Sequence, residues 1–205
     1  MNKEDFEVKA LFYNFNNLKF RRYLEIRRKD STETENDLTV IMMNPGSSKP
    51  KDIDEKTDNS FLDKFVVAHP DPTQYQVMKI MDNCNLNYAK IINLSDIRNG
   101  NSNNFYKMLL DELKDINHSI FDDSNNKYLN KYLNLNSKFI LGWGVNKKLS
   151  KLSEKALKKL EELNIDIIGL RHPNNKKGFY HPLPRTEKKQ LEWVEKITEQ
   201  IKNYS

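Results

Sequence analysis

Four short apolar runs, each cut off by turn-forming residues, constrain this fold more than any other feature of the chain. LTVIMM (38–43) stops at Asn-Pro-Gly, YAKIINL (88–94) at Ser-Asp-Ile-Arg, SKFILGWG (137–144) in two glycines, and IDIIGL (165–170) at Arg-His-Pro. A continuous apolar run of this length lacks the alternation of a half-exposed strand and fits a strand covered on both faces. Helical patterns lie between the runs. Asp71 and Pro72 open one of them as N-cap and first helical residue, with Val77, Ile80 and Met81 at helical spacing. Others span about 104–116, 125–134 and 149–163, and EKKQLEWVEKITEQIKNY is a final amphipathic helix. Strands alternating with helices predict an α/β fold, a three-layer α/β/α sandwich on a central, mainly parallel four-stranded sheet. Ahead of it, FEVKALFY (6–13) and LKFRRYLEIRR (18–28) flank an Asn-rich turn and predict an N-terminal β-hairpin. A chain of 205 residues is expected to form one domain over 1–205.

Composition narrows the chemistry. Cys84 is the one cysteine, which excludes an internal disulfide, a cysteine-built zinc site and a four-cysteine iron–sulfur cluster. No apolar run approaches the roughly 20 residues of a membrane helix, and the charged N-terminus MNKEDFEVKA lacks the apolar core of a signal peptide. A cytoplasmic protein with no membrane partner is expected. The net charge of +5 is uneven: residues 137–205 hold 15 basic and 8 acidic side chains, while 1–136 are slightly acidic. The positive third suits an acidic partner such as nucleic acid, and equally a solvated helix face.

In a parallel sheet the carboxyl ends of the strands share one edge, where ligands bind. That edge gathers NPGSS, NLSDIR, GWGVN and RHPNNKKGFYHPLPR, and with them Asn44, Asn93, Ser95, Asp96, Arg98, His172, His181 and Arg185. Gly46, Gly142 and Gly144 permit close backbone approach there. Taken alone, NPGSS is equally a Pro-Gly turn, and it lacks the Gly-Lys-Ser/Thr ending of a phosphate loop. The two His-Pro pairs equally tie a loop to the scaffold, and they lack a third ligand at zinc-like spacing. No metal and no cofactor are expected. Trp143 and Trp193 are read as packing aromatics or as base-stacking platforms.

In order, these segments resemble the motifs of the uracil-DNA glycosylase superfamily, and more closely an uncharacterised bacterial family that shares its layout, over about residues 20–195. MMNPGSS is similar to the first motif; the resemblance implies that Asn44 positions water, with Pro45, Gly46 and Ser47 around the ligand and Gly46 where uracil-specific members carry an aromatic. KIINLSDIR is similar to the motif whose Asn reads the base, here Asn93. FILGWG matches the apolar strand ending in Trp-Gly. The last motif has two matches, His172-Pro173 and Tyr180-His181-Pro182, of which His181 is favoured because it precedes the final helix. The resemblance thus implies a nucleobase pocket with Asn44 and His181 in catalytic positions, Asn93, His172 and Tyr180 near the ligand, and Arg98, Arg171, Lys176, Lys177 and Arg185 on phosphates of DNA, RNA or a nucleotide. The departures are chemical. An amide at Asn44 has no useful basicity, so efficient uracil excision is not expected, unless Asp96 supplies the carboxylate rather than capping its loop. Two functions follow: a binding protein with a glycosylase-like pocket, or an active glycosylase or nucleotide hydrolase on a modified base.

Overall fold

In the computed structural model, which describes residues 1–203, strands β1 (Phe6–Phe15) and β2 (Leu18–Arg28) form the expected hairpin. Its two-residue turn, Asn16-Asn17, is left-handed at both positions, a conformation asparagine tolerates and one that matches strand twist. The apolar run at 38 becomes β3 (Leu38–Met42), buried at every residue. A short strand, β4 (Phe65–Val67), follows, then α1 (Pro72–Asn83) and β5 (Tyr88–Asn93). Helices α2 (Ser102–Met108) and α3 (Asn126–Tyr132) lead to β6 (Lys138–Leu141), α4 (Ser150–Glu162) and β7 (Ile167–Ile168). A small hairpin, β8 (Arg171–His172) and β9 (Asn175–Phe179), precedes α5 (Glu187–Lys202). No helix among the described residues is long and apolar enough to cross a membrane.

The α/β class holds, but the sheet is larger than four strands. Its order is β4-β1-β2-β5-β3-β6-β7, with β5, β3, β6 and β7 mutually parallel and β2 antiparallel to β5. The N-terminal hairpin is therefore part of the sheet, because β2 covers the open edge of β5 and buries Leu24 and Ile26 in doing so. Successive residues of β3 feed opposite cores. Val40 packs with Val77, Ile80, Trp193 and Ile197 under α1 and α5, while Ile41 packs with Phe105, Leu129, Leu152 and Ala156 under α2, α3 and α4. The segment between β7 and α5 holds the β8–β9 hairpin, and β7 is only two residues long.

One irregularity places two charges. The β1–β2 register slips by one residue, pairing Leu11 with Tyr23 but Phe12 with Arg21, so Arg22 is an inserted residue. Its guanidinium lies over the Tyr13 and Tyr128 rings and pairs with the buried Asp96 carboxylate at 2.8 Å. Arg21, next to it, faces the opposite core. Deleting one of the two arginines leaves Phe-Arg-Tyr-Leu, a strict alternation, so the variant should fold with the remaining arginine in place of Arg21. Asp96 then loses its counter-ion, and unfolding free energy should fall by about 3–5 kcal/mol, read as a lower urea midpoint at unchanged slope. Loss of the cooperative transition would instead show that the sheet requires the bulge.

Candidate functional site

Pairing between β3 and β5 continues beyond the strands, with Leu94 N donating to Met42 O (2.8 Å) and Ser95 N to Met43 O (3.1 Å). The Asn44 side chain extends the tie, donating Nδ2 to the carbonyls of Ile97 (3.2 Å) and Asn99 (2.8 Å). Asn44 also lines a cavity of about 170 Å³, together with Arg21, Gly46, Asp71, Gly100 and His181, and its Oδ1 makes no hydrogen bond among the described residues. Gly46 takes a left-handed φ of 60°, and a Cβ there would meet open space, so the Pro-Gly turn leaves one wall of the cavity vacant.

Arg21 is almost fully buried and donates Nη2 to Asn93 Oδ1 at 2.9 Å. The Arg21 Nε and Asn93 Nδ2 donors have no hydrogen-bond partner. Burial lowers the guanidinium to about 10, with Asp71 pulling the other way, so it stays charged at neutral pH. No carboxylate forms an ion pair with it among the described residues.

His181 reaches the cavity because β6 ends in glycine: a Cβ at Gly142 would sit 3.0 Å from the Pro182 ring. His181 Nδ1 accepts the Leu183 N–H at 3.1 Å, which leaves the proton of the neutral ring on Nε2. Burial lowers its pKa to about 4, so the ring is a neutral donor at physiological pH. Asp71 caps α1 in a capping box, with Oδ1 accepting Gln74 N (2.9 Å), Oδ2 accepting Gln74 Nε2 (3.2 Å) and Gln74 Oε1 accepting Asp71 N (3.2 Å).

Residues 22–183 match the family described as proteins of unknown function, DUF1643. The chain belongs to that family. No curated protein and no solved structure matches it. Neither the match nor its description ties this DUF1643 member to the uracil-DNA glycosylase superfamily, so that resemblance rests on the motifs. The matched span holds every residue lining the cavity except Arg21.

Of the residues singled out in the sequence, the DUF1643 structure brings Asn44, Pro45, Gly46 and His181 to the cavity and Asn93 behind Arg21. Asp96 neither lines the cavity nor caps its loop with its side chain. It lies across the sheet, where Tyr13 donates to Oδ2 at 3.0 Å beside Arg22, and burial raises its carboxyl to about 7 against the pull of that arginine. Arg98 is held by Glu55 in a bidentate pair at 2.5 and 3.0 Å, which removes it from an open phosphate surface. His172 accepts the Asn174 N–H within the β8–β9 turn, outside the cavity. Ser47 and Tyr180 are exposed outside its lining, Lys177 pairs with Glu154, the Arg171 guanidinium donates to the Lys176 carbonyl, and Lys176 and Arg185 lie on the surface. Trp143 and Trp193 are core residues whose Nε1 groups bond Lys177 O and Tyr180 O, both at 2.9 Å. No group of three or more His, Cys, Asp or Glu among the described residues is arranged to hold a metal. Arg21 and Asp71 were missed as site residues. The signal for Asp71 was present in the Asp-Pro-Thr-Gln cap, whereas that for Arg21 depends on the bulge.

Asp96 and His181 give opposite pH dependence. The raised Asp96 pKa favours the folded chain fully below about 4, a contribution lost as pH climbs through about 7. The lowered His181 pKa adds stability present above about 6.5 and lost as pH falls through about 4. Across pH 4–7, urea titrations of Asp96→Asn should show stability rising more steeply with pH than in the wild type, and those of His181→Gln less steeply. The reverse order would place the titrations elsewhere.

Proposed function

We propose that this chain is a uracil-DNA glycosylase-fold protein whose crevice binds a nucleobase, carried in nucleic acid or a nucleotide, without efficient uracil removal. The observation that carries the reading is the buried, unpartnered Nε donor of Arg21, which lines the cavity, with a second unpartnered donor, Asn93 Nδ2, behind it. A buried donor without a partner costs about 1–3 kcal/mol, more when charged, and a carbonyl-bearing ligand removes that cost. The His181 Nε2 proton adds a third donor, while Asn44 Oδ1 and Asp71 offer acceptors to ring N–H groups. A cavity of about 170 Å³ lies below the roughly 300 Å³ where drug-sized pockets begin, which suits one ring better than a whole nucleotide.

Cleavage of an N-glycosidic bond needs an activated water and donors aimed at the departing base. Arg21 and His181 on the cavity lining support the second requirement. The base is weak: Asn44 is an amide tied to loop carbonyls, and the Asp71 oxygens are engaged by Gln74. A second reading, an active glycosylase on a modified base, is favoured by one fact, that Asp71 is a carboxylate on the same cavity as the neutral His181.

Purified protein is incubated with labelled oligonucleotides carrying uracil, mismatches or common modified bases, and abasic sites and binding are scored in the same samples. Binding without abasic product is expected, and Arg21→Met, which keeps the side chain's length, should weaken it about 10- to 150-fold. Undiminished binding by Arg21→Met would sink the nucleobase reading. Abasic product that disappears in Asp71→Asn would put the active glycosylase in its place.

A further inference from the structure

His181 also lines a second recess, of about 320 Å³, and is the residue the two cavities share. Its floor is Leu170, Pro184 and the buried Trp193, and its rim carries the Tyr180 ring, 42% exposed. The backbone beneath that ring is fixed at both ends, since Tyr180 N donates to Leu170 O at 2.8 Å and Tyr180 O accepts Trp193 Nε1 at 2.9 Å. The ring itself leans on His172, with centroids 5.5 Å apart. Along α5, Lys189, Glu192 and Lys196 recur at helical spacing and bring two positive charges and one negative to the same recess. The segment around it is the basic third of the chain, and Arg185 is exposed beside it.

We infer that this recess seats the nucleotide adjoining the one in the first cavity, so that the ligand is a single strand of nucleic acid running across His181. The inference rests on the nucleobase-binding reading and names its substrate class. A held aromatic ring at a concave, cation-bearing site is how proteins grip unpaired bases: every base has a face to stack, and the lysines follow the backbone. Two recesses separated by one histidine require neighbouring bases to splay apart, which a duplex resists and a single strand permits. The second recess offers a base the apolar surfaces of Leu170, Pro184 and Trp193 and the Tyr180 ring for stacking, while its charged groups lie along α5.

Fluorescence anisotropy with a mixed-sequence 12-residue single strand, its duplex, and uridine monophosphate tests the inference in full-length protein. The single strand should bind more tightly than the duplex. Tyr180→Ala should cut the strand's advantage over the mononucleotide about tenfold. Replacing Lys189 and Lys196 together by Gln should lower the slope of log affinity against log salt by about 1.4. Duplex binding at least as tight as the strand, unchanged strand binding in both variants, or no binding to any probe would overturn it. The two readings fail separately. Strand binding that needs Tyr180 and the lysines but not Arg21 retains the second recess and removes the first as a base pocket. Mononucleotide binding that needs Arg21, with no gain from a longer strand, does the reverse.

Discussion

Strand β3 has no exposed residue, and the rest of the molecule is arranged to satisfy that burial. Its two faces require a helical layer each, its two edges require β5 and β6, and its parallel partners require crossovers long enough to hold helices. The same demand fixes where chemistry can occur. A strand so enclosed can present polar groups to a ligand only at its end, and there the backbone pairing with β5 runs on for two more residues before the Asn44 amide takes over the tie. The cavity is the space left when two parallel strands end together and their loops turn apart.

The electrostatics around that space follow from burial on opposite faces of one sheet. The inserted Arg22 neutralises Asp96 among tyrosines on one face, whereas Arg21 enters the other face with an amide as its closest partner. Two adjacent, identical side chains thus play unlike parts: one completes an ion pair within the fold, and the other keeps a buried donor without a partner. The separation keeps Asp96, the carboxylate nearest in sequence to Asn93, away from the cavity and leaves the cap of α1 as the acid that lines it.

What could be read from the sequence was local. Apolar runs and their terminators gave β3, β5 and β6, the Asp-Pro cap gave the start of α1, and the Asn pair gave the hairpin turn, because each signal is contained within a few residues. The hairpin's place in the sheet was not legible, since it depends on β2 finding the edge of β5. The three-residue β4 is too short to announce itself, and the β8–β9 hairpin carries too few apolar residues to do so. At the site, motif residues at strand ends reached the cavity, but facing was misjudged for Asp96 and pairing for Arg98, whose partner Glu55 lies in a loop far along the chain. The destination of Arg21 turns on a one-residue register slip, which no local pattern encodes.

The membership of β2 in the sheet also bears on the order in which the molecule assembles. Its contact with β5 joins residues more than sixty positions apart, and the Arg21–Asn93 hydrogen bond spans 72. Closing a loop of that length loses chain entropy before any contact rewards it, so such pairings belong to the slow part of folding. The helix cap, the hairpin turn and the individual helices can form early, but the cavity acquires its charged floor only when the N-terminal hairpin docks. A ligand that occupies the floor therefore favours the docked arrangement over every partly assembled one, and ligand occupancy becomes a report on completed folding.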